Sequence, residues 1–386
     1  MHGGFRVDKT RVLHITPLLT VGGAEKKLLY ILKRLDKNKF AHHVIYSIPG
    51  DLKEEIDKEK IPTARVYPLS LINPLSLFSV WRIYKYIKRN KIDLVHCHLD
   101  VAYILGSISA IIAGVPVIFS FQNIADEHYL SYYKIFKYLE QFISSFTDRI
   151  IVESEAVMNV LLSWGIKQEK LTIIPNGVEI PDNLQDLMEK SKDIRKKLNA
   201  EGCMLIGNMA RLVDFKNHRL LLNAAANVLL IKPEVRFMII GNGPLREELE
   251  TLSNKLGISK NVLFLGTVVD FESYVVALDI FVLSSYTEST PMALLHALAY
   301  GRPVISTAVG DIPSIIQDGI SGVLVPTDNP DTLAAAVLDL LEDDNKRKKF
   351  GYAGWKLVKE RFSMQTMIDG MQSVYLDVMN KHISNK

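Results

Sequence analysis

The sequence predicts an α/β protein of two Rossmann-like, doubly wound domains in tandem, facing across a cleft. Three observations predict it. Short apolar runs of strand length alternate with helical patterns, which implies parallel sheets covered on both faces. The alternation lapses once, over the polar stretch 181–199, and then restarts. A chain of 386 residues also exceeds what one ordinary core fills. The expected division is a first domain over 1–180, a linker over 181–199, a second domain over 200–360, and a C-terminal helix over 361–386 returning towards the first domain.

The elements follow in order. RVLHIT (11–16) is a short apolar strand, and GGAEKKLLYILKRL (22–35) is an amphipathic helix. HHVIYSI (42–48) and ARVYPL (64–69) read as strands, residues 81–91 as a basic amphipathic helix, and IDLVHCH (92–98) as a strand. Residues 101–121 carry no charge and are long enough to span a bilayer. Gly114, Val115 and Pro116 divide them, however, into a buried helix and the strand VIFSF. An aromatic helix around 132–146, DRIIVES (148–154) and LTIIPNGV (171–178) complete the first domain. In the second, the strands are CMLIGNMA (203–210), VRFMIIG (235–241), VLFLG (262–266), DIFVLSS (279–285), PVIST (303–307) and GVLVP (322–326), with a helix over 217–231.

Composition narrows the function. With 48% hydrophobic and 23% charged residues the chain is globular and not disordered. Residues 1–180 hold 23 Lys/Arg against 18 Asp/Glu, and residues 181–386 hold 23 against 25. That balance is too even for a nucleic-acid binder. The two cysteines lack metal-ligand spacing, and MHGGFRVDKTRV has no apolar signal region, so a reduced, cytoplasmic interior is expected.

The chemistry concentrates in a few segments. In TESTPMALLHALAYG (287–301), Glu288 stands immediately before Ser289, Thr290 and Pro291 and a helix with almost no polar face. Thr290 reads as its N-cap, Pro291 as its first turn, and Gly301 as its stop. Such a helix start offers unpaired N–H groups and a positive dipole end, which favour phosphate. An acid there either stabilises a core helix or meets a ligand. In GNMARLVDFKNH, Arg211 and Lys216 follow a strand end and suit a diphosphate. Gly22 and Gly23 precede the first helix without completing a dinucleotide fingerprint, and Gly241-Asn242-Gly243 also lacks the third glycine. Cations and a helix dipole for phosphates, with an acid for sugar hydroxyls, together describe a nucleotide-sugar site.

The set GGAE (22–25), IPNGV (174–178), RLVDFK (211–216), GNGPL (241–245), TESTPMALLHALAYGRPVIST (287–307) and DGISGVLVP (318–326) resembles the retaining glycosyltransferases of family four, with the GT-B fold. The resemblance runs over nearly the whole chain. It implies a hexosyl- or N-acetylhexosaminyl-transferase that needs no metal, acting in polysaccharide or glycoconjugate assembly, with UDP as the expected nucleotide. By the same likeness Arg211 and Lys216 hold the diphosphate. Glu288 matches the first acid of the family's Glu-x7-Glu motif and contacts the donor sugar. Ser289, Thr290, Pro291 and Met292 complete that grip, with Gly22 and Gly23 facing it. Catalysis would come from stabilising the leaving diphosphate.

Three positions depart from the family pattern. His296 stands where a second acid usually binds the ribose, Gln122 where a histidine is frequent, and Ser314 where a glutamate is frequent. A neutral imidazole offers one hydrogen bond where a carboxylate offers two charged acceptors. Gln122 and Asn123, and His98 at a strand tip, are candidates to face sugar or acceptor. Lys26, Lys27, Lys33, Arg34 and Lys37 share one face of the first helix, a candidate contact for an anionic membrane carrying a lipid-linked acceptor. The rival readings are a binding protein on the same fold that has lost activity, and a nucleotide-sugar epimerase, which would need carboxylates and a histidine placed for proton abstraction.

Overall fold

Valine, isoleucine and leucine dominate the centres of the strands, the composition of parallel sheets buried on both faces. The computed structural model describes residues 9–20, 23–70, 73, 75–121, 134–181 and 184–384. Gly22, Gln122 and Asn123 lie outside these residues. The chain forms two units, one of Met1–Pro175 with Met367–Lys386, the other of Asn176–Thr366.

In the first unit the order is β1 (Thr10–Leu18), α1 (Gly23–Arg34), β2 (Phe40–Ile48), α2 (Leu52–Lys58), β3 (Thr63–Arg65), α3 (Ser76–Asn90), β4 (Leu94–His98), α4 (Asp100–Ala113), β5 (Val117–Ser120), α5 (Lys134–Ser144), β6 (Arg149–Val152), α6 (Glu155–Ser163) and β7 (Leu171–Ile173). All strands are parallel, in the order β3-β2-β1-β4-β5-β6-β7. The run expected as a strand over 64–69 pairs only through Arg65, and Pro68 beyond it has no N–H to donate. The uncharged stretch after β4 divides as its glycine requires. Gly114 takes φ 71° at the end of α4, and β5 follows. No helix among the described residues is long and apolar enough to cross a membrane.

The second unit contains α7 (Leu184–Lys197), β8 (Leu205–Met209), α8 (His218–Ile231), β9 (Arg236–Ile240), α9 (Arg246–Lys255), β10 (Val262–Gly266), α10 (Phe271–Val276), β11 (Ile280–Leu283), α11 (Met292–Ala299), β12 (Val304–Thr307), α12 (Ile312–Ile315), β13 (Val323–Val325), α13 (Pro330–Glu342) and α14 (Asp344–Arg361). Its parallel sheet runs β10-β9-β8-β11-β12-β13. The stretch 181–199 is therefore not an open linker. Its Ile194 is buried with Val178 and Ala200 in the core of this unit. Arg195 ion-pairs with Asp279 at 2.5 Å and donates to the carbonyls of Ala277 and Cys203. These tertiary partners turn a polar sequence into a packed helix.

The last helix, α15 (Met364–Ser384), supplies the first unit with Tyr375, which is fully buried. Its hydroxyl meets His96 Nδ1 at 2.6 Å, and its ring meets Phe40 edge-on at 5.6 Å. His96 belongs to a group of four histidines buried on β1, β2 and β4. His14 Nδ1 shares a hydrogen bond with His98 Nε2 at 3.2 Å, and His14 Nε2 shares one with His42 Nδ1 at 3.0 Å. His96 Nε2 meets Ser120 Oγ at 2.8 Å.

The basic face expected on α1 is mostly neutralised. Lys27 is buried, at 6% exposure. Lys33 pairs with Glu55 at 2.8 Å and Lys37 with Glu59 at 2.7 Å, both acids brought alongside by α2. Helical periodicity shows which side chains share a face but not which acids another helix sets against them.

The buried imidazoles tie the stability of the first unit to pH. Burial, then Lys37, lowers His42 to about 4. Burial, then Lys27, lowers His98 to about 3. Burial, then neighbouring imidazoles, holds His14 and His96 well below the usual histidine range. The unfolded chain takes up these protons near pH 6.5 and the folded one does not, so stability is present above that pH and falls as the pH drops below it. Between pH 7 and pH 5, His42 and His98 each cost about 2 kcal/mol. Glu140, raised to about 8 first by burial and then by Asp100, acts in the opposite sense and offsets about one histidine. The histidines outnumber it. Denaturant unfolding at pH 5 should therefore show a midpoint well below that at pH 7, and His42→Gln should shrink the difference. A midpoint equal at the two pH values contradicts this assignment.

Candidate active site

In a doubly wound sheet, ligands meet the carboxyl ends of the strands where the order reverses. In the second unit that point lies between β8 and β11, which pair directly. The segments leaving these two strands carry Arg211 to Lys216 and Ser284 to Glu288. The sheet thus brings together two stretches that are remote in sequence. Lys216 Nζ donates to Glu288 Oε1 at 2.6 Å across 72 positions of chain. Ser285 Oγ donates to the same oxygen at 2.6 Å. Glu288 is buried, at 7% exposure, and its Oε2 accepts no hydrogen bond from the described residues.

Both segments are held from behind. Tyr286 N donates to the Phe215 carbonyl at 2.8 Å, and Ser284 Oγ donates to the Lys216 carbonyl at 3.1 Å. Thr307 Oγ1, at the end of β12, donates to the Ser285 carbonyl at 2.6 Å. Gly310 takes φ 52°, and a Cβ there would stand 1.7 Å from the Glu288 carbonyl oxygen. Only glycine permits that approach.

Lys216 ends a short 3-10 turn, Asp214–Lys216, and Asn217 follows in the left-handed region at φ 48°. The Asn217 side chain caps α8 through Leu220 N, and its amide reaches the Thr327 carbonyl at 3.0 Å. His218 Nε2 meets Asn208 Oδ1 at 3.0 Å, and Asn208 Nδ2 donates to the Val282 carbonyl on β11. Burial, then the charge of Lys216, lowers His218 to about 4. Asn208, Asn217, His218, Ser285 and Gly310 were not singled out from the sequence. The dipeptide Lys216-Asn217 was the available signal, because asparagine before a helix often adopts the left-handed conformation. Arg211 is exposed, and its guanidinium makes no bond to the described residues.

The helix after Glu288 begins one residue later than expected. Pro291 is the N-cap and provides no side-chain acceptor, so Thr290 does not cap the helix. The first-turn N–H groups of α11 are therefore left without a side-chain acceptor from the cap. Thr290 and Pro291 are buried, and Ser289 and Met292 are half-buried. His296, half-buried two turns on, packs edge-on to Phe271 at 4.8 Å and stacks near Tyr300.

In the first unit His98 ends β4 at the corresponding reversal point beside β1, and Gly23 begins α1. Among the described residues, His14, His96 and His98 form a group able to hold a metal ion, with ligand atoms within 4.8 Å of one another. Their bonds to each other, to His42, to Ser120 and to Tyr375 already engage both nitrogens of His14 and His96 and one of His98.

Comparison with known proteins bears on the family and the fold. The family model described as Glycosyltransferase Family 4 matches residues 21–180, and that described as Glycosyl transferases group 1 matches residues 189–357. The UDP-Gal:alpha-D-GlcNAc-diphosphoundecaprenol alpha-1,3-galactosyltransferase of Escherichia coli is 26% identical, over 97% of this chain and 99% of its own. An uncharacterized glycosyltransferase of Methanocaldococcus jannaschii is 30% identical, over 75% of this chain and 74% of its own. The crystal structure of Anabaena HepE in complex with UDP superposes with a TM-score of 0.82 at 21% identity, covering 95% of this chain and 100% of that one. The two doubly wound units are those of the GT-B fold. The chain belongs to the family-four, group 1 glycosyltransferases, and it is an enzyme that moves a sugar from a nucleotide-diphosphate donor to an acceptor.

Proposed function

We infer that the enzyme is a retaining, metal-independent glycosyltransferase of polysaccharide or glycoconjugate assembly, working in the cytoplasm on a UDP-sugar and a lipid-linked acceptor. The observation that carries the donor side is the Lys216–Glu288 pair at the strand reversal, with Glu288 Oε2 still free to accept. Lys216 keeps two of its three N–H donors for phosphate oxygens, and exposed Arg211 adds a planar fork. The first-turn amides of α11 add their dipole end. Together these groups stabilise the charge that develops on the departing diphosphate, while Glu288 orients the sugar through its hydroxyls. Ser289, Thr290, Pro291 and Met292 shape that grip from the backbone, and Gly22 and Gly23 are proposed as donor-binding residues on the family likeness alone. His98, Gln122 and Asn123 are proposed on the sugar or acceptor side. The nucleotide and the acceptor class rest on likeness. The Escherichia coli relative is named for UDP-Gal and a diphosphoundecaprenol acceptor, and HepE was solved with UDP.

A panel of UDP-hexoses and UDP-N-acetylhexosamines, assayed for transfer and for slow hydrolysis, tests this reading. Charge-assisted bonds are worth about 1.5–3 kcal/mol each, so Arg211→Ala and Lys216→Ala should each lower kcat/KM about 10- to 100-fold. Glu288→Gln should cripple turnover while the denaturation midpoint stays near that of the parent. EDTA should leave the rate unchanged. Turnover undiminished in Lys216→Ala, or abolished by EDTA, defeats the proposal.

His296 is proposed to meet the ribose with a single hydrogen bond, worth about 1 kcal/mol net. Calorimetry with UDP should show several-fold tighter binding for His296→Glu and a similar weakening for His296→Ala. If neither changes the dissociation constant, His296 is a core histidine and the ribose is held elsewhere.

A further inference from the structure

We propose that Lys27, with His98 and Glu153, reads the hydroxyls of an acceptor sugar at the carboxyl edge of the first unit's sheet. The inference deepens the transferase reading above and rests on it. Lys27 lies in the second turn of α1, the helix that follows β1. His98 is the last residue of β4, and Glu153 comes directly after β6. With the strand order β1-β4-β5-β6, all three stand at the edge where a doubly wound sheet meets its ligands. All three are buried.

A buried ammonium ordinarily holds a carboxylate or several carbonyls, because leaving it without partners is costly. Lys27, at 6% exposure, forms no hydrogen bond or ion pair with the described residues. Glu153 is the charged group that acts on it, without an ion pair forming. His98 Nδ1 is buried and has no hydrogen-bond partner, while its Nε2 is held by His14 Nδ1 at 3.2 Å. After burial, the charge of Lys27 is what lowers His98, so the two groups lie within each other's field. Neighbouring side chains at this edge are already engaged. Ser120 holds His96, Ser154 caps α6 through Val157 N at 3.3 Å, and Thr16 Oγ1 donates to the Leu18 carbonyl at 3.1 Å. Of the side chains just named, Lys27 and His98 keep unspent hydrogen-bonding capacity.

The balance of charge selects the ligand. His14, His42, His96 and His98 are neutral at pH 7, because burial holds each below the ordinary histidine range. One positive group, Lys27, and one negative group, Glu153, remain. An anion bound there would meet Glu153, and a cation would meet Lys27. A hydroxyl donates and accepts at once, so neighbouring hydroxyls can take a bond from the ammonium and give one to the carboxylate. His98 Nδ1 adds a third polar contact. A sugar ring presents such hydroxyls side by side, and a buried site built to bind them rejects an analogue that lacks one.

Saturation-transfer NMR tests this on the full chain with UDP present, and it needs no turnover. The probes are the methyl glycosides of glucose, galactose and N-acetylglucosamine, with their monodeoxy analogues. The parent should bind at least one glycoside, and one of its deoxy analogues should bind about 10-fold more weakly, the worth of one charge-assisted bond. Lys27→Met should weaken the glycoside by about the same factor and bind that analogue no worse than the glycoside itself. Glu153→Gln should weaken it several-fold, and Lys26→Met, exposed on the same helix, should bind as the parent does. The denaturation midpoint of Lys27→Met should stand at or above the parent's, since the ammonium it removes has no structural partner. A parent that binds none of the glycosides, a Lys27→Met that binds as the parent does, or a lowered midpoint in that variant would overturn the proposal. So would a loss common to every deoxy analogue, a loss confined to UDP-sugar binding, or displacement of the glycoside by inorganic phosphate, which would make this an anion site. UDP-sugar hydrolysis by the parent reports separately on the transferase reading.

Discussion

The ion pair between Lys216 and Glu288 is the constraint on which the donor site depends. A carboxylate at 7% exposure is costly unless it is paired and hydrogen-bonded. Its partners come from the turn after β8 and from Ser285 just beyond β11. Neither partner is in place unless those strands pair in the observed register, with Ile280 beside Ile206 and Phe281 beside Gly207. The local supports then have a single purpose. The Tyr286-to-Phe215 backbone bond, the hydroxyls of Ser284 and Thr307, and the absence of a side chain at Gly310 all fix where the Glu288 carboxylate points.

Much of this was legible in the sequence, and the parts that were not share a cause. Strands read well because buried parallel strands are continuous apolar runs, as IFVL and VIST are. Glu288, Lys216 and Arg211 stood out because polar residues just past such runs lie at the ligand edge. Their pairing was invisible, since it depends on strand order. The same holds for the histidines. His14, His42 and His98 sit on three different strands, and only the order β2-β1-β4 joins them. Residues 181–199 looked like a linker because their composition is polar, and Arg195 finds Ala277 and Asp279 more than eighty positions away.

The two basic helices of the first unit make the point in opposite directions. From periodicity alone α1 offered the more even cationic face. In the fold α2 sets Glu55 and Glu59 against it, and surface pairs of this kind leave little charge for a partner. The helix α3 was read, over 81–91, as basic and amphipathic, and that pattern did not say which side is covered. The packing covers Ile83 and Ile87 and leaves Phe78 and Trp81 outside. A sequence pattern can show that a helix has two apolar edges, but not which of them the neighbouring elements cover.

A double-mutant cycle on the pair itself tests the central claim most directly. Lys216→Met, Glu288→Gln and the combined variant would be compared with the parent by UDP-sugar turnover, reading kcat/KM. If the two side chains act as one device, the losses should fall short of additive, with a coupling of about 1.5 kcal/mol or more. Losses that add to within about 0.5 kcal/mol would mean that the two residues contribute independently, and that the ion pair does not organise the site.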